Sequence, residues 1–598
     1  MTLPAVDLQG LLDEPHHDGS DQYVVQRPDD LGGEAAVRLR LPRATSADRV
    51  LLRYERDGEP RSVEATVDEE TESDVWWRAE FPVANPVTRY RWLLAGGTAG
   101  YAWANALGRT GHEVADADDF VLTVGAWGPE WHLDSVVYEI FPDRFASSGV
   151  ADRAQLPEWA APRAWDDLPT GRGRPTPYEL YGGDLRGIEQ HLDHVQSLGA
   201  NVVYLTPFFP ATSTHRYDAT TFDHVDPLLG GDDALRSLAA AAHARGLRLL
   251  GDLTLNHTGH RHEWFERARA DATVPERGFY YFDDSIPGGY ESWLGHLTLP
   301  KLNWQSAELH ERFARVLKRY LELGLDGWRI DVANMIGRYR DLDVNREVAR
   351  WTRDQVGDAL LIAEHGHDFR ADLAGRGWHG VMNYSGFLRP LWTWLLRDDP
   401  DPEQQRQFWG IRAGVPSLDG HATVAALRRF RTGVPWEAEL HSWNLLDSHD
   451  VARFRTIAGT AERHLVGVGL QMTLPGVPMI FAGDELGLEG AWGEDARRTM
   501  PWGKPWDEAF LGEVRALARL RRTVPALARG GMRFVHVSRD AIAFLRETST
   551  ERLLVLAARG PHDHVSTPFT SLETLYGEDA TDGVLPSEGP AFHIWRIT

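Results

Sequence analysis

The sequence predicts an α/β protein: a (β/α)8 TIM barrel with an inserted subdomain, flanked by N-terminal and C-terminal β-sandwich domains. Three observations predict this fold class. Short alternating segments precede Trp131, apolar strand-like runs then alternate with helical segments, and short strands return after Trp502. Strands that alternate with helices are typical of a parallel sheet, and eight of them close a barrel. The length of 598 residues exceeds what one hydrophobic core can hold, which agrees with several domains.

The N-terminal region, residues 1–127, is predicted to be a small β-sandwich that resembles carbohydrate-binding modules. Its segments Ala36–Leu41, Val50–Tyr54 and Tyr90–Leu94 alternate apolar and polar residues and are separated by turn residues. Regular short strands with such punctuation indicate a sandwich. The acidic run 68–74 is interpreted as a solvated loop.

The barrel is assigned to residues 128–510. Its eight strand candidates are, in order, Ser135–Ile140, Asn201–Thr206, Arg248–Leu255, Gly327–Val332, Leu360–Glu364, Gly380–Tyr384, Trp443–Asp447 and Val477–Ala482. Between the third and the fourth, residues 258–303 contain aromatic and turn residues but little helical periodicity. We therefore expect a small inserted subdomain there, which would form a wall on one side of the barrel mouth.

The C-terminal region, residues 511–598, begins with a helix around Leu511–Arg522. Short strands follow, including Ala541–Arg546, Leu553–Ala557 and Phe592–Ile597. Their length and spacing predict a second β-sandwich.

Composition excludes several classes of function. A formal net charge of −25 argues against a nucleic-acid or anionic-membrane partner, since both need concentrated Lys and Arg. Without cysteine there is no thiolate metal site and no cysteine nucleophile. The N-terminus lacks a basic start followed by an apolar run, and no segment approaches the length of a membrane span, so we expect a cytoplasmic protein.

The fourth strand candidate ends on ionic residues. Arg329 and Asp331 are two apart, so strand period 2 directs both to one face, while Trp328 and Ile330 point to the other. In a parallel barrel one of these faces lines the interior near the C-terminal mouth, where such barrels carry their chemistry. The spacing therefore predicts a functional site at the end of this strand.

Two further strand candidates lead to carboxylates, so that Asp331, Glu364 and Asp450 are expected to converge at the mouth. Two carboxyl groups about 5 Å apart can cleave a glycosidic bond with retention, one as nucleophile and the other as acid and then base. A third can stabilise the charged transition state. Further polar residues lie at equivalent strand ends, namely Asp252, Asn256, His257 and His449.

At these residues the chain resembles the α-amylase family, glycoside hydrolase family 13. Four segments resemble the family's four signatures in order: Asp252–His257, Gly327–Asp331, Ile362–Glu364 and Asn444–Asp450. Leu299-Pro-Lys-Leu-Asn303 further resembles the subgroup of cyclomaltodextrinases, neopullulanases and maltogenic amylases. The resemblance implies hydrolysis of α-1,4 bonds, with α-1,6 bonds as a further candidate, in small linear or cyclic maltooligosaccharides. It also implies a homodimer in which the N-terminal domain covers the partner's active site.

The resemblance also implies residue roles. Asp331 would be the nucleophile, Glu364 the general acid and base, and Asp450 the stabiliser of the transition state. Arg329 would keep the nucleophile ionised through its positive charge. The remaining residues expected to contact substrate are Tyr217, Asp252, Asn256, His257, His449 and Arg497.

The chain departs from the subgroup pattern at several positions. Met335 replaces a usual glutamate on the acceptor side, and Asp447 replaces a frequent glycine. Ser147-Ser148 replaces the Asn-Gly of a calcium loop, while Gly183 and Asp184 remain as a candidate calcium ligand pair. We expect no required cofactor and leave calcium as an open alternative.

Other readings of the same residues remain open. A transglycosylase or a maltodextrin glucosidase could use the same active site, and a catalytically silent glucan-binding protein is the alternative outside enzymes. The run Glu364-His-Gly-His-Asp368 has a metal-ligand spacing, although its histidines also suit a sugar cleft. His260 and His262 are interpreted as loop residues, and Lys301 as either a structural or a substrate-side group.

Overall fold

Eight parallel strands form a closed barrel at the centre of the protein, which confirms the predicted fold class. The structure is a computed structural model that describes residues 6–7, 12–149, 156–400 and 414–598. The barrel strands are β1 Val137–Ile140, β2 Val202–Leu205, β3 Arg248–Thr254, β4 Gly327–Asp331, β5 Leu360–Glu364, β6 Gly380–Met382, β7 Trp443–Leu445 and β8 Val477–Phe481. Each coincides with one predicted strand, and most are a residue or two shorter.

Helices cover the outside of the barrel. They include Leu185–Gln190, Leu192–Leu198, Gly231–Ala244, Ala307–Glu322, Asn345–Val356, Arg389–Leu395, Gly420–Arg431, Ala461–Thr473 and Glu508–Thr523. Further helices span Pro142–Phe145, Glu263–Ala270, Arg370–Leu373, Trp436–His441, Phe454–Ala458, Gly493–Ala496 and Pro525–Arg529. Among the described residues, none of the helices combines the length and the apolar content that crossing a membrane requires.

The side chains of strand β4 alternate between its two faces as the sequence predicts. Trp328 packs outward against Phe208 and Tyr320, with ring centroids 6.3 and 5.8 Å away. Arg329 and Asp331 consequently point into the barrel. Gly327 is required at the start of the strand, because a Cβ atom there would lie 2.4 Å from the carbonyl oxygen of Leu360 on β5. The close contact of β4 and β5 sets the two carboxylates at their far ends side by side.

The N-terminal domain consists of two packed antiparallel sheets. Its strands are Val24–Gln26, Glu34–Pro42, Arg49–Arg56, Glu59–Glu64, Thr66–Glu70, Asp74–Pro82, Val87–Gly96, Gly100–Asn105, Gly108–Thr110 and Phe120–Thr123. Side chains from both sheets, including Leu39 and Trp92, share one core. The acidic run is only partly a loop, since Thr66–Glu70 forms an exposed strand at the sheet edge.

The C-terminal domain is a five-stranded antiparallel sheet packed on a three-stranded one. The larger sheet contains Gly531–Val537, Ala541–Glu547, Arg552–Ala558, Leu572–Tyr576 and Ala591–Ile597. The smaller one contains Val6–Asp7, Val565–Ser566 and Val584–Leu585, so the first described strand of the chain pairs here and not with the N-terminal sheets. Helix Glu508–Thr523 packs on barrel helix Ala461–Thr473, which places the end of the barrel near Gly530 and not at residue 510.

The inserted segment between β3 and helix Ala307–Glu322 carries one helix, Glu263–Ala270. Its first turn is capped by His262, whose Nδ1 accepts a hydrogen bond of 3.1 Å from the amide of Trp264. The weak helical periodicity did not predict this helix. The segment returns to the barrel through a bridge between His257 and Lys301, which brings it to the mouth.

Candidate active site

Arg329 lies at the centre of a cluster of carboxylates at the barrel mouth. Its Nη1 is 2.9 Å from Asp252 Oδ2 and 3.0 Å from Asp331 Oδ1, and its Nη2 is 3.0 Å from Glu364 Oε2. All four side chains are buried. Three strand ends, those of β3, β4 and β5, therefore meet on one guanidinium group.

The backbone after β4 turns sharply and adds a second contact to Glu364. Val332 adopts a left-handed conformation with φ of 45°, which is strained for a β-branched residue. This turn directs the amide of Val332 at Glu364 Oε2, at 2.7 Å. Glu364 Oε2 thus accepts a hydrogen bond from the Val332 amide and forms an ion pair with Arg329, and the side chain is fixed beside Asp331.

Asp331 and Glu364 both pair with the guanidinium group of Arg329. Burial, followed by the neighbouring Glu364 charge, raises the pKa of Asp331 well above its usual range, and Arg329 opposes this only in part. The positive charge of Arg329 is divided among three carboxylates, because Arg329 also pairs with Asp252 and Glu364.

Asp331 Oδ2 is buried and receives no hydrogen bond from the described residues. His257 Nε2 is 3.9 Å away and likewise lacks a hydrogen-bond partner among them. Burial lowers the pKa of His257 to about 3, so its imidazole is neutral. A buried polar atom without a partner is costly. These two atoms are therefore the polar groups that a bound ligand can satisfy.

Asp450 lies in the loop after β7 and contacts two basic side chains. Its Oδ2 is 3.2 Å from His449 Nε2, and its Oδ1 is 3.2 Å from Arg497 Nη2. The pKa of Asp450 is below its usual value although burial opposes the shift, because His449 and Arg497 stabilise the anion. Conversely, Asp450 and Glu139 raise the pKa of His449, although burial opposes this shift. Oε1 of Glu139 lies 2.5 Å from Nδ1 of His449.

Tyr217 joins the two halves of this cluster. Its hydroxyl lies 2.9 Å from Asp252 Oδ2 and 2.7 Å from His449 Nε2. Its ring stacks on that of His449, with centroids 5.6 Å apart and an interplanar angle of 11°. Burial raises the pKa of Asp252, which also accepts a 2.6 Å hydrogen bond from Tyr204. Tyr217 is thereby fixed as a flat surface at the mouth.

Asn256 and Lys301 form a framework around the nucleophile. The Lys301 ammonium donates to Asn256 Oδ1 at 2.5 Å and to the carbonyl of Met335 at 2.8 Å. Burial lowers the pKa of Lys301 to about 8. Lys301 thus ties the inserted segment to the end of β3 and to the turn after Asp331, which favours the structural reading of this lysine.

Sequence reasoning missed two residues of the site, Glu139 and Tyr204. Both lie inside strands that the sequence predicts, β1 and β2, and both are fully buried. A carboxylate within the apolar segment Ser135–Ile140 was the signal that could have identified Glu139. Tyr204 gave no such signal, because a tyrosine is an ordinary strand residue.

The candidate calcium pair does not fit a metal ion. Asp184 Oδ1 accepts a 2.7 Å hydrogen bond from the amide of Gly187, and Oδ2 accepts from the amide and hydroxyl of Ser148 at 2.8 and 2.9 Å. Gly183 lies against the backbone of Pro142, where a Cβ atom would approach within 2.2 Å of the carbonyl oxygen. Asp184 instead caps helix Leu185–Gln190 and fixes the loop before it.

The histidine-rich run after β5 does not gather into a metal site. His365 Nε2 is 2.9 Å from Asp372, and Asp368 pairs with Arg370. Within the part of the chain that the structure describes, no three His, Cys, Asp or Glu side chains are placed to hold a metal ion.

Comparisons with known proteins show which proteins the chain is similar to. The profile of the α-amylase catalytic domain matches residues 139–372. Neopullulanase 2 of Thermoactinomyces vulgaris is 32% identical over 470 residues, which cover 75% of each chain. The structure of the cyclic α-maltosyl-(1→6)-maltose hydrolase of Arthrobacter globiformis is 31% identical, covers 73% of this chain and 94% of its own, and has a TM-score of 0.63. A cyclomaltodextrinase structure covers 98% of this chain and 100% of its own at 26% identity and a TM-score of 0.71.

Proposed function

Because this chain belongs to the α-amylase family, glycoside hydrolase family 13, we propose that its carboxylate cluster cleaves α-glucosidic bonds with Asp331 as nucleophile. The protein is a glycoside hydrolase of the subgroup that contains cyclomaltodextrinases and neopullulanases. It hydrolyses α-1,4 bonds of maltooligosaccharides, and α-1,6 bonds are a second target. The observation that carries the proposal is the convergence of Asp331, Glu364 and Asp450 around Arg329 and His449.

The chemistry follows from the contacts. Asp331 Oδ2, which has no hydrogen-bond donor among the described residues, attacks the anomeric carbon, while Glu364 gives its proton to the leaving oxygen. The resulting glycosyl ester is attacked by water, from which Glu364 takes a proton, so the configuration is retained.

The ionised Asp450 supplies negative charge where the sugar becomes cationic in the transition state. Tyr217 offers its ring face to the apolar side of the same sugar. His257 Nε2 lacks a partner among the described residues and would bond a sugar hydroxyl. Arg497 is engaged with Asp450 and with the His449 carbonyl, at 2.7 Å, so it orients the stabilising carboxylate.

The preferred substrates are small α-gluco-oligosaccharides that contain α-1,4 or α-1,6 bonds, including cyclic ones. The inserted segment supports this proposal because it places Trp293 beside the site, with its ring 6.0 Å from that of His257. Relatives named for cyclomaltodextrin, pullulan and a cyclic tetrasaccharide act on such substrates.

The protein is further proposed to act in the cytoplasm as a homodimer, without a nucleic-acid or membrane partner. The high negative charge supports the exclusion of polyanionic partners. Light scattering tests the dimer, and a monomer at micromolar concentration would contradict it.

The test of function is a product profile. The protein would be incubated with maltotriose, cyclodextrins, pullulan and a cyclic tetrasaccharide that contains both bond types. We expect small sugars released in the α-configuration and no turnover by Asp331→Asn. Longer products at high maltose would identify transglycosylation by the same intermediate, and undiminished turnover by Asp331→Asn would remove Asp331 from the mechanism.

A further inference from the structure

A groove between the N-terminal domain and the outside of the barrel contains none of the residues of the carboxylate cluster. It is lined by helix Asn345–Val356, by residues 374–376 before β6 and by residues 86–87 and 126, and its volume is about 820 Å³. Four of its lining residues are arginines and one is acidic: Arg346, Arg350, Arg353, Arg376 and Asp354. We call it the arginine groove. Such a local excess of positive charge is unexpected in a chain with a formal net charge of −25.

Three of these arginines share one face of the helix, because they are spaced i, i+4 and i+7. Like charges at this spacing repel each other and destabilise a helix. Their carboxylate contacts are long: Arg350 Nη2 is 3.4 Å from Glu347 Oε1, and Arg346 Nε is 3.9 Å from Asp372 Oδ1. That Asp372 oxygen is already held by Arg338 at 2.7 Å. The helix therefore presents positive charge to the groove that its neighbours only partly neutralise.

Arg353 and Arg376 lie side by side at the inner end of the groove. Nη1 of Arg353 donates to the carbonyl of Arg376 at 3.1 Å, and the two guanidinium groups lie 5.7 and 5.9 Å from the ring centroid of buried Trp127. Neither side chain forms an ion pair with a carboxylate in the described part of the chain. Burial and the adjacent charge of Arg376 lower the pKa of Arg353 to about 10, and burial also lowers the pKa of Arg376. Two partly buried cations without a counter-ion are costly, and a bound anion would remove that cost.

The backbone at Arg376 is strained in a way that holds this arrangement. Arg376 has a φ of 60°, a left-handed conformation that residues other than glycine rarely adopt. Its neighbour Gly377 packs directly against the helix, where a Cβ atom would lie 2.3 Å from Cβ of Ala349. The turn is thus pressed onto the helix, and Arg376 is held beside Arg353. Backbone strain of this kind is typical of functional sites, where a particular side chain must be presented.

We propose that the arginine groove binds the phosphate group of a small metabolite, with Arg353 and Arg376 as its main ligands and Arg346 and Arg350 at the rim. The planar fork of a guanidinium group matches two phosphate oxygens, and such charge-assisted hydrogen bonds are strong. The volume of the groove suits a phosphorylated monosaccharide as well as inorganic phosphate. A long polyanion is disfavoured by the negative charge of the rest of the molecule. The proposal does not depend on the glycosidase activity, because none of these arginines belongs to the catalytic cluster.

Calorimetric titration of the full chain with inorganic phosphate and with glucose 6-phosphate tests the proposal. We expect saturable binding to one site that weakens as the salt concentration rises. The double variant Arg353→Gln with Arg376→Asn should weaken binding about ten-fold or more, because both charge-assisted contacts are lost. Asparagine tolerates the left-handed backbone at position 376. Arg350→Gln, at the exposed rim, should weaken binding about three-fold and tests the groove even if the double variant does not fold. Arg236→Gln, exposed on helix Gly231–Ala244, is the control and should bind like the parent.

Thermal unfolding and hydrolysis of maltotriose provide two further readouts. Phosphate should raise the Tm of the parent and of Arg236→Gln but not that of the double variant, since a ligand of the folded state stabilises it. Hydrolysis in phosphate-free buffer should be the same in all of them. Tighter binding of glucose 6-phosphate would identify a sugar phosphate as the ligand, and equal binding would identify inorganic phosphate. Binding that persists in the double variant, a parent Tm that phosphate does not change, or tighter binding of a short oligonucleotide would overturn the proposal. If phosphate binds as expected while no sugar is cleaved, the proposed function fails and the phosphate site stands.

Discussion

At the scale of single residues, Asp331 is suited to act as the nucleophile because its two carboxylate oxygens have different surroundings. Arg329 fixes Oδ1, and no group in the described part of the chain donates to Oδ2 in this buried site. An oxygen in that position is both held and available for attack. Glu364, by contrast, has Oε2 fixed by Arg329 and by the Val332 amide, so it stays beside the nucleophile as a proton carrier.

Asp331→Asn should therefore lower kcat on the order of 10⁴-fold or more, since no other group can form the ester. The change keeps the shape of the side chain, so KM and Tm should change little. The measurement is initial rate with a chromogenic maltoside. Asp326→Asn is the control: Asp326 precedes the same strand at the opposite end of the barrel, where it pairs with Arg248 and His243. Equal losses in both variants would contradict the assignment.

Lys301 gives a prediction about stability and pH. Its pKa of about 8 is below the ordinary value of 10.5, so the unfolded chain binds the proton more tightly than the folded one. The stability of the parent should therefore rise between pH 8 and pH 10.5. Lys301→Met should lack this rise and should lose roughly 1–3 kcal/mol near pH 7, because Asn256 Oδ1 and the Met335 carbonyl lose a donor.

Urea unfolding at pH 7 and at pH 10 measures both effects. Lys318→Met is the matched control, since Lys318 is exposed on helix Ala307–Glu322. A parent and a Lys301→Met variant with parallel pH profiles would show that Lys301 is not the titrating group.

At the scale of elements, Asp184 acts as a helix cap, whereas the calcium alternative would make it a metal ligand. It caps helix Leu185–Gln190 and holds Ser148 with the same carboxylate. Asp184→Ala should lower the free energy of unfolding by about 2–3 kcal/mol, because a cap and two buried hydrogen bonds are lost together. Asp419→Ala removes an exposed cap from helix Gly420–Arg431 and should cost only about 1 kcal/mol.

The same geometry predicts the effect of metal removal. A chelator should leave Tm and the rate of hydrolysis unchanged, and added calcium should not raise either. A chelator-induced fall in Tm that calcium restores would show that the Asp184 loop rearranges to bind the ion.

The barrel strands were predictable because each is an apolar run between polar segments, and burial on both faces leaves little ambiguity. Their mouth residues were predictable because ionic groups at such strand ends stand out, as Asp331 and Glu364 do. Helix Glu263–Ala270 was missed, because its apolar face is only Trp264, Phe265 and Ala268 and its start depends on a histidine cap. Glu139 was missed for a different reason, since its partner His449 is distant in sequence and only barrel closure brings them together.

At the scale of the whole molecule, buried arginines connect the barrel to the C-terminal domain. Arg546, on strand Ala541–Glu547, donates to the carbonyls of Thr473, Gly530 and Gly531. Burial lowers its pKa well below the usual range. Thr473 ends barrel helix Ala461–Thr473, so one side chain ties the helix terminus to the sheet. The sequence did not indicate this link, because nothing in the local pattern marks Arg546 as buried.

Arg546→Met should therefore reduce the free energy of unfolding by about 3 kcal/mol, because several buried carbonyls lose their donor. It should also split thermal unfolding into two transitions by loosening the C-terminal sheet. Arg596→Met on the same sheet removes partly exposed ion pairs with Glu551 and Glu573 and should cost less than about 1 kcal/mol. Calorimetry distinguishes the cases, and a single unshifted transition in Arg546→Met would contradict the link.

The covalent step at Asp331 is the central claim, and trapping the glycosyl ester tests it most directly. The protein would be quenched with acid during turnover of a slow fluorinated α-glucosyl substrate, digested, and analysed by mass spectrometry. We expect one glycosyl group on the peptide that contains Asp331, and no adduct in Asp331→Asn. A glycosyl group on Glu364 or Asp450, or turnover with inverted products and no adduct, would contradict the account.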